Sequence, residues 1–155
     1  MRALAKAFGE TVSWNGHSYS IFPSIECLAD YKPKTIKRRG NMRTLAMARY
    51  LHEIGMEWPY WYKKNRNELN ASYERAVQAL MQLPGVDPKV ADCTALIGLG
   101  WKESFPIDRW ILRVLQKEYS FETRSITTLQ NYQALSAKAR TFFGPNAGWA
   151  QNFLF

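Results

Sequence analysis

The sequence predicts a mainly α domain carrying one small β-hairpin near its N-terminus. Apolar residues recur at helical spacing through most of the 155 positions. One stretch, Thr11 to Ile21, alternates instead, and it does so around Asn15-Gly16, the strongest short signal for a two-residue hairpin turn. Gly and Pro-Gly then interrupt the helical pattern at intervals that suit short connections. With 46% hydrophobic residues, a chain of this length can bury about two-thirds of its unfolded surface as one domain.

Each element follows from local signals. Met1 to Phe8 reads as a short amphipathic helix with Leu4, Ala7 and Phe8 on one side. Val12, Trp14, Tyr19 and Ile21 supply the strand-forming residues of the hairpin. Pro23-Ser24 opens a short helix through Ala29, and another runs from about Lys34 to Arg39. Gly40 or Asn41 then caps a helix from Met42 to Ile54, in which Leu45, Ala48, Leu51 and Ile54 keep the period and Gly55 ends it. The aromatic cluster Trp58-Pro59-Tyr60-Trp61-Tyr62 precedes the polar run Lys63-Lys64-Asn65-Arg66-Asn67. It is read as a packing surface between short helices, against the alternative of stacking bases and holding phosphates. Ser72 caps a helix to Leu83, and Pro84-Gly85 forces a tight turn. The next helix starts at once, with Asp87 as its cap and Pro88 in its first position. Further helices are expected from Ile107 to about Tyr119, from about Thr127 to Phe142, and from Ala147 onward. No repeat, low-complexity tract or linker divides the chain, so residues 1–155 are read as one domain.

The formal charge of +8 favours a polyanionic partner. No apolar run approaches the ~20 residues of a spanning helix, and no secretory signal opens the chain. The expectation is an intracellular monomer that does not engage membranes. Cys27, Cys93, His17 and His52 show no metal-ligand spacing, so reduced thiols and no metal or cofactor are expected.

Two residues near the tight turn can carry chemistry. The turn places the unpaired backbone N–H groups of a helix N-terminus, around Gly85, Val86 and Asp87, at a protruding tip that can bind a phosphate without reading a base. Lys89 lies in the first helical turn, where the macrodipole disfavours a cation by some tenths of a kcal/mol. Lysine titrates near ~10.4, so a neutral amine at pH 7 requires roughly 4 kcal/mol, more than the dipole alone supplies. Asp108 follows Pro106 at the start of the next helix, and a helix to about Gly98 with a return loop would bring both residues to the same end. Alone, Lys89 could equally hold a phosphate and Asp108 could merely cap a helix.

Taken together, Leu83-Pro84-Gly85-Val86, Lys89-Val90-Ala91-Asp92-Cys93 and Phe105-Pro106-Ile107-Asp108 resemble the helix-hairpin-helix DNA glycosylase superfamily, and within it the 8-oxoguanine DNA glycosylases. Gly144 to Phe155 is similar to the closing segment of those enzymes. The resemblance implies their fold, duplex DNA with a damaged base or an abasic site as partner, and base excision coupled to strand nicking. It implies that Lys89 is the nucleophile, Asp108 the catalytic aspartate, and Cys93 a neighbour one turn from the lysine. Gln151 and Phe155 would line the damaged-base pocket from one helix face, while Trp149 and Phe153 anchor the opposite side in the core. Arg43 would contact the base left opposite the lesion, with Met42 beside it as a wedge.

Three positions depart from the family pattern: Asp87 where a glycine is usual, Trp110 where relatives often carry a phosphate-holding histidine, and Met42 in place of tyrosine. Too few cysteines for an iron–sulfur cluster separate the chain from that branch. Relatives also carry an N-terminal domain and an Asn-rich helix ahead of the matching region, so this chain is expected to be incomplete at its N-terminus. Two other functions fit the residues: a non-catalytic DNA-binding remnant, and a lyase or glycosylase for a different lesion.

Overall fold

Polar caps and tight turns set most of the element boundaries. The computed structural model describes residues 2–122 and 125–154, and the chain forms two compact units, residues 1–64 and 65–155.

The first unit contains α1 (Arg2–Phe8), β1 (Thr11–Trp14), β2 (His17–Ser20), α2 (Ile25–Ala29), α3 (Pro33–Arg39) and the start of α4 (Leu45–Ala71). The strands pair antiparallel, Thr11 opposite Ser20 and Trp14 opposite His17. Asn15 and Gly16 both take positive φ, 47° and 76°, the backbone that a type I′ turn requires. Ser24 caps α2 by accepting the Cys27 N–H. Leu4, Phe8, Leu28, Ile36 and Ala48 form the core, with Met42 and Leu51 packed against it. Arg39 ties α3 to α1: it donates to the Ala7 carbonyl at 2.7 Å and covers the Phe8 ring at 4.9 Å.

The fourth helix departs from expectation. It starts at Leu45, after Thr44, whose Oγ1 accepts the Met47 N–H, and it runs 27 residues through both Gly55 and Pro59. Gly55 is a close-approach site and not a stop, since a Cβ there would lie 2.4 Å from the Ile25 carbonyl oxygen and 3.0 Å from Ala29 Cβ. Tertiary packing against α2 thus overrides the terminating tendency of glycine. The aromatic cluster sits within this one helix and does not bridge two short ones. Trp58 stacks on Trp61 at 5.3 Å and on Tyr62 at 5.5 Å, the pairing that i, i+3 and i, i+4 spacing allows.

The second unit holds the end of α4, then α5 (Tyr73–Leu80), α6 (Pro88–Gly98), α7 (Arg109–Tyr119), α8 (Leu129–Phe143), a 3₁₀ turn (Gly144–Asn146) and α9 (Ala147–Gln151). Ser72, Asp87, Asp108 and Thr128 each cap a helix through the side chain. Between α5 and α6 the Val86 N–H bonds the Leu83 carbonyl at 3.2 Å, with Gly85 at φ 72°. Proline followed by a positive-φ glycine makes this a type II turn. Phe105, Ile107, Ile111, Leu115, Tyr132 and Leu135 dominate the core, and Phe105 stacks on Phe143 at 5.3 Å.

The end of the chain also differs from the sequence reading. Ala147, Gly148 and Gln151 are the buried side of α9, and a Cβ on Gly148 would lie 2.3 Å from the Ser104 carbonyl oxygen. Small residues let the helix seat this closely, so Trp149 and Phe153 point outward, 53% and 86% exposed, and do not anchor in the core. The helix stops at Gln151; Phe155 lies outside the described residues. Among the described residues, no helix is long and apolar enough to cross a membrane.

Replacing Gly55 by alanine tests the close approach. Helix propensity alone favours alanine by about 1 kcal/mol, whereas forcing a methyl into packed backbone costs typically about 1–3 kcal/mol. The expected net result is a lower urea midpoint for Gly55→Ala, and a raised one would refute the packing account.

Candidate active site

The N-terminus of α6 presents donors and a lysine. Asp87 Oδ1 accepts the Val90 N–H at 2.8 Å, which caps the helix as its residue type predicts. The N–H of Val86 is committed to the turn, while those of Gly85, Asp87 and Lys89 have no partner among the described residues. Lys89 is exposed, at the edge of a cleft of about 600 Å³ that Asp87, Ile107, Thr127 and Tyr132 also line. Asp108 is half-buried. Its Oδ1 accepts the N–H groups of Trp110 and Ile111, each at 2.9 Å, which leaves Oδ2 without a partner among the described residues. Capping is therefore real but uses only one oxygen.

Both groups bear on the electrostatics of Cys93. Burial pushes its thiol up from the ordinary range, the Lys89 ammonium pulls it back by charge and by donating toward the sulfur, and the carboxylates of Asp92 and Asp108 push it up again. Lys89 and Asp108 thus act on one sulfur from two different elements. Residues four apart on a helix share a face, which accounts for Lys89. A separate device holds Asp108.

That device is Asp92, fully buried on α6. The Tyr73 hydroxyl donates to its Oδ1 at 2.6 Å and the Tyr132 hydroxyl to its Oδ2 at 2.7 Å. Ser104 Oγ lies 3.1 Å from Oδ1 and 2.9 Å from the Asp92 carbonyl oxygen. Tyr132 in turn accepts the Ile107 N–H at 3.1 Å, one residue before Asp108. A continuous polar chain therefore runs from α6 through α8 to the peptide that starts α7. Burial pushes the Asp92 carboxyl up, against the pull of the Tyr73, Tyr132 and Ser104 hydroxyls and the Arg140 charge. The phenols of Tyr73 and Tyr132 are held far above their ordinary range, first by burial and then by the Asp92 carboxylate. In the sequence Asp92 stands only as a letter of the Lys89–Cys93 motif. The available signal was a carboxylate sharing the inward face of α6 with Ala91, Ala95 and Leu96, a position that needs hydrogen-bond partners.

No family model matches the sequence. The chain is 25% identical, over 98% of its length, to a Methanothermobacter thermautotrophicus protein named "Probable N-glycosylase/DNA lyase", of which it covers 52%. Its fold matches MBOgg1, solved in complex with a low affinity DNA ligand, at a TM-score of 0.80 and 28% identity, covering 99% of this chain and 50% of that one. It also matches the apo-form of Clostridium acetobutylicum 8-oxoguanine glycosylase/lyase at a TM-score of 0.81 and 22% identity, covering 99% of this chain and 51% of that one. In sequence and fold the chain is thus similar to DNA glycosylase/lyases. It spans about half the length of these relatives.

Within this glycosylase fold the other expected site residues are scattered. Gln151 is buried at 7% exposure, and its side-chain amide makes no hydrogen bond to a described residue. Phe155, its expected companion, lies outside the described residues, and α9 ends at Gln151. Met42 and Arg43 belong to the first unit. Met42 is half-buried against that unit's core, and Arg43 is exposed with no partner among the described residues. Trp110 is 53% exposed beside Asp108.

The Asp92 cluster makes stability depend on pH with a definite sign. Its carboxyl titrates higher folded than unfolded, so the native state binds more protons between those two values and loses stability as pH rises through that window from about 4. Urea denaturation from about pH 3 to about pH 7 should show the stability difference, wild type minus Asp92→Asn, shrinking as pH rises. A difference that grows with pH would contradict the assignment.

Proposed function

We propose that the chain is the catalytic part of a bifunctional DNA glycosylase with apurinic/apyrimidinic lyase activity, acting on 8-oxoguanine in duplex DNA inside the cell as a monomer. The observation that carries this reading is that Lys89 and Ile107, the residue before Asp108, line one cleft, beside helix N-terminal N–H groups that have no partner among the described residues. Chemically, a nucleotide flipped out of the stack must lose its base through a transition state with positive charge on the sugar. Asp108, with one oxygen fixed by two backbone donors and the other without a partner among the described residues, is suited to stabilise that charge, since preorganised groups do so without reorganising. Lys89 as the neutral amine would attack C1′ while the C–N bond to the base breaks; the base leaves with the electron pair and takes up a proton. Ring opening gives a Schiff base. Loss of a C2′ proton then breaks the 3′ C–O bond and nicks the strand, and hydrolysis of the imine returns the lysine. The Gly85, Asp87 and Lys89 N–H groups would hold a backbone phosphate at the tip, and Gln151, buried with its amide bonded to none of the described residues, would read the flipped base.

One observation favours a second reading. The Asp87 carboxylate, committed to capping α6, sits at the tip where a phosphate would dock and weakens the grip that catalysis needs, which leaves a weaker DNA-binding module without catalysis as the second reading. Borohydride trapping on duplexes containing 8-oxoguanine or an abasic site separates the readings. The expected result is a covalent adduct with both, absent from Lys89→Gln and formed about 10²–10³-fold more slowly by Asp108→Asn. An adduct on abasic DNA alone would reduce the activity to that of a lyase, and none on either, with binding intact, would leave only the binding module.

A further inference from the structure

The charge of the chain is unevenly placed. Residues 1–64 hold eleven Lys and Arg against five Asp and Glu, whereas residues 65–155 hold ten against eight. Most of the excess lies between Lys32 and His52, a stretch with seven basic residues and no carboxylate. All seven are exposed. Arg39 is occupied by the Ala7 carbonyl and the Phe8 ring. The other six, Lys32, Lys34, Lys37, Arg38, Arg43 and Arg49, have no ion pair or side-chain hydrogen bond among the described residues.

Helical geometry concentrates this charge. Ile36 is fully buried and fixes the inner face of α3, so Lys34 and Arg38 project from the opposite face with Lys37 beside them. At i, i+3 and i+4 their Cβ atoms lie about 5–6 Å apart, and each like-charge pair costs the helix about 0.2–0.5 kcal/mol. A seven-residue helix has little stability of its own from which to absorb that cost. Next to this row, a groove of about 520 Å³ is lined by Lys32, Lys34, Thr35, Leu45 and Arg49. A surface helix needs only a solvated polar face, which alternating charges would supply without repulsion. A row of unpaired cations without a carboxylate suits a partner that brings regularly spaced negative charge, as a nucleic-acid strand does at every 3.4 Å of helix rise.

We propose that Lys34, Lys37 and Arg38, with Lys32 and Arg49 at the adjoining groove, form a second DNA-backbone contact surface, sequence-independent and additional to the tip at Gly85. It rests on the DNA-binding reading above. The residues contact phosphates, so they set affinity and salt dependence and carry no base preference.

The test is equilibrium binding of the full chain to a duplex with a tetrahydrofuran abasic analogue, measured across potassium chloride concentrations. Lys34→Gln/Lys37→Gln/Arg38→Gln is compared with wild type and with Lys6→Gln/Lys102→Gln/Lys117→Gln, which removes the same charge from other exposed positions. Loss of three phosphate contacts should flatten the slope of log K against log salt by about 2–3 in the first variant, with little change in the second. An equal flattening in both would mean that only net charge matters and would overturn the surface. An unchanged slope in the first variant beside a steep wild-type slope would overturn the surface and leave DNA binding standing. A flat wild-type response would overturn both. Relief of repulsion should keep the melting temperature of the first variant at or above that of wild type, which confirms that a lost slope is not a lost fold.

Discussion

A single buried carboxyl, held by hydroxyls from three other segments, fixes how the helices around the candidate site of the second unit are placed. Removing a carboxylate from water costs several kcal/mol, and hydrogen bonds to a charged group return about 1.5–3 kcal/mol each. The balance holds only while Tyr73, Ser104 and Tyr132 all reach Asp92. That requirement makes the cluster a strict positional constraint: α5, the loop before α7, and α8 must each stand at hydrogen-bond distance from one point on α6. Arg140 adds charge without touching the carboxyl, since its guanidinium lies over the Tyr73 ring at 4.2 Å and pairs with Glu74 at 3.0 Å.

The consequence reaches the surface through helix periodicity. With Asp92 turned inward, Cys93 and Lys89 fall on the neighbouring face of α6, close to the cleft that Tyr132 and Ile107 also line. Tyr132 joins the two sides, because the hydroxyl that donates to Asp92 also accepts the N–H of Ile107. Asp108 then has little freedom, with the N–H of the residue before it, Ile107, bonded to Tyr132 and its Oδ1 pinned to the first turn of α7. A carboxylate this restrained can offer its second oxygen at a fixed position, and fixed position is what electrostatic stabilisation of a developing charge requires.

Much of this was legible in the sequence, for local reasons. Asn15-Gly16 specified its turn because few other residues take positive φ twice in succession. Ser72, Asp87 and Asp108 marked helix starts because their oxygens satisfy free N–H groups nearby. What local signals missed was decided by distant contacts. Gly55 and Pro59 look like stops, yet α4 continues because Gly55 fits against the Ile25 carbonyl. Trp149 and Phe153 look like anchors, yet the small face of α9 packs inward, because Gly148 must pass close to Ser104 and Leu96. Asp92 looks polar and therefore external. Its three partners come from positions 73, 104 and 132, a grouping that no spacing rule reveals.

The proposed sharing of one site by Lys89 and Asp108 can be tested at the Cys93 sulfur. In a Cys27→Ser background, the pH dependence of Cys93 alkylation gives its thiol titration directly. Because Lys89 pulls this titration down and Asp108 pushes it up, Lys89→Gln should move it to higher pH and Asp108→Asn to lower pH. If either substitution leaves the thiol unmoved, or both move it the same way, the two groups do not share a site and the catalytic account is wrong.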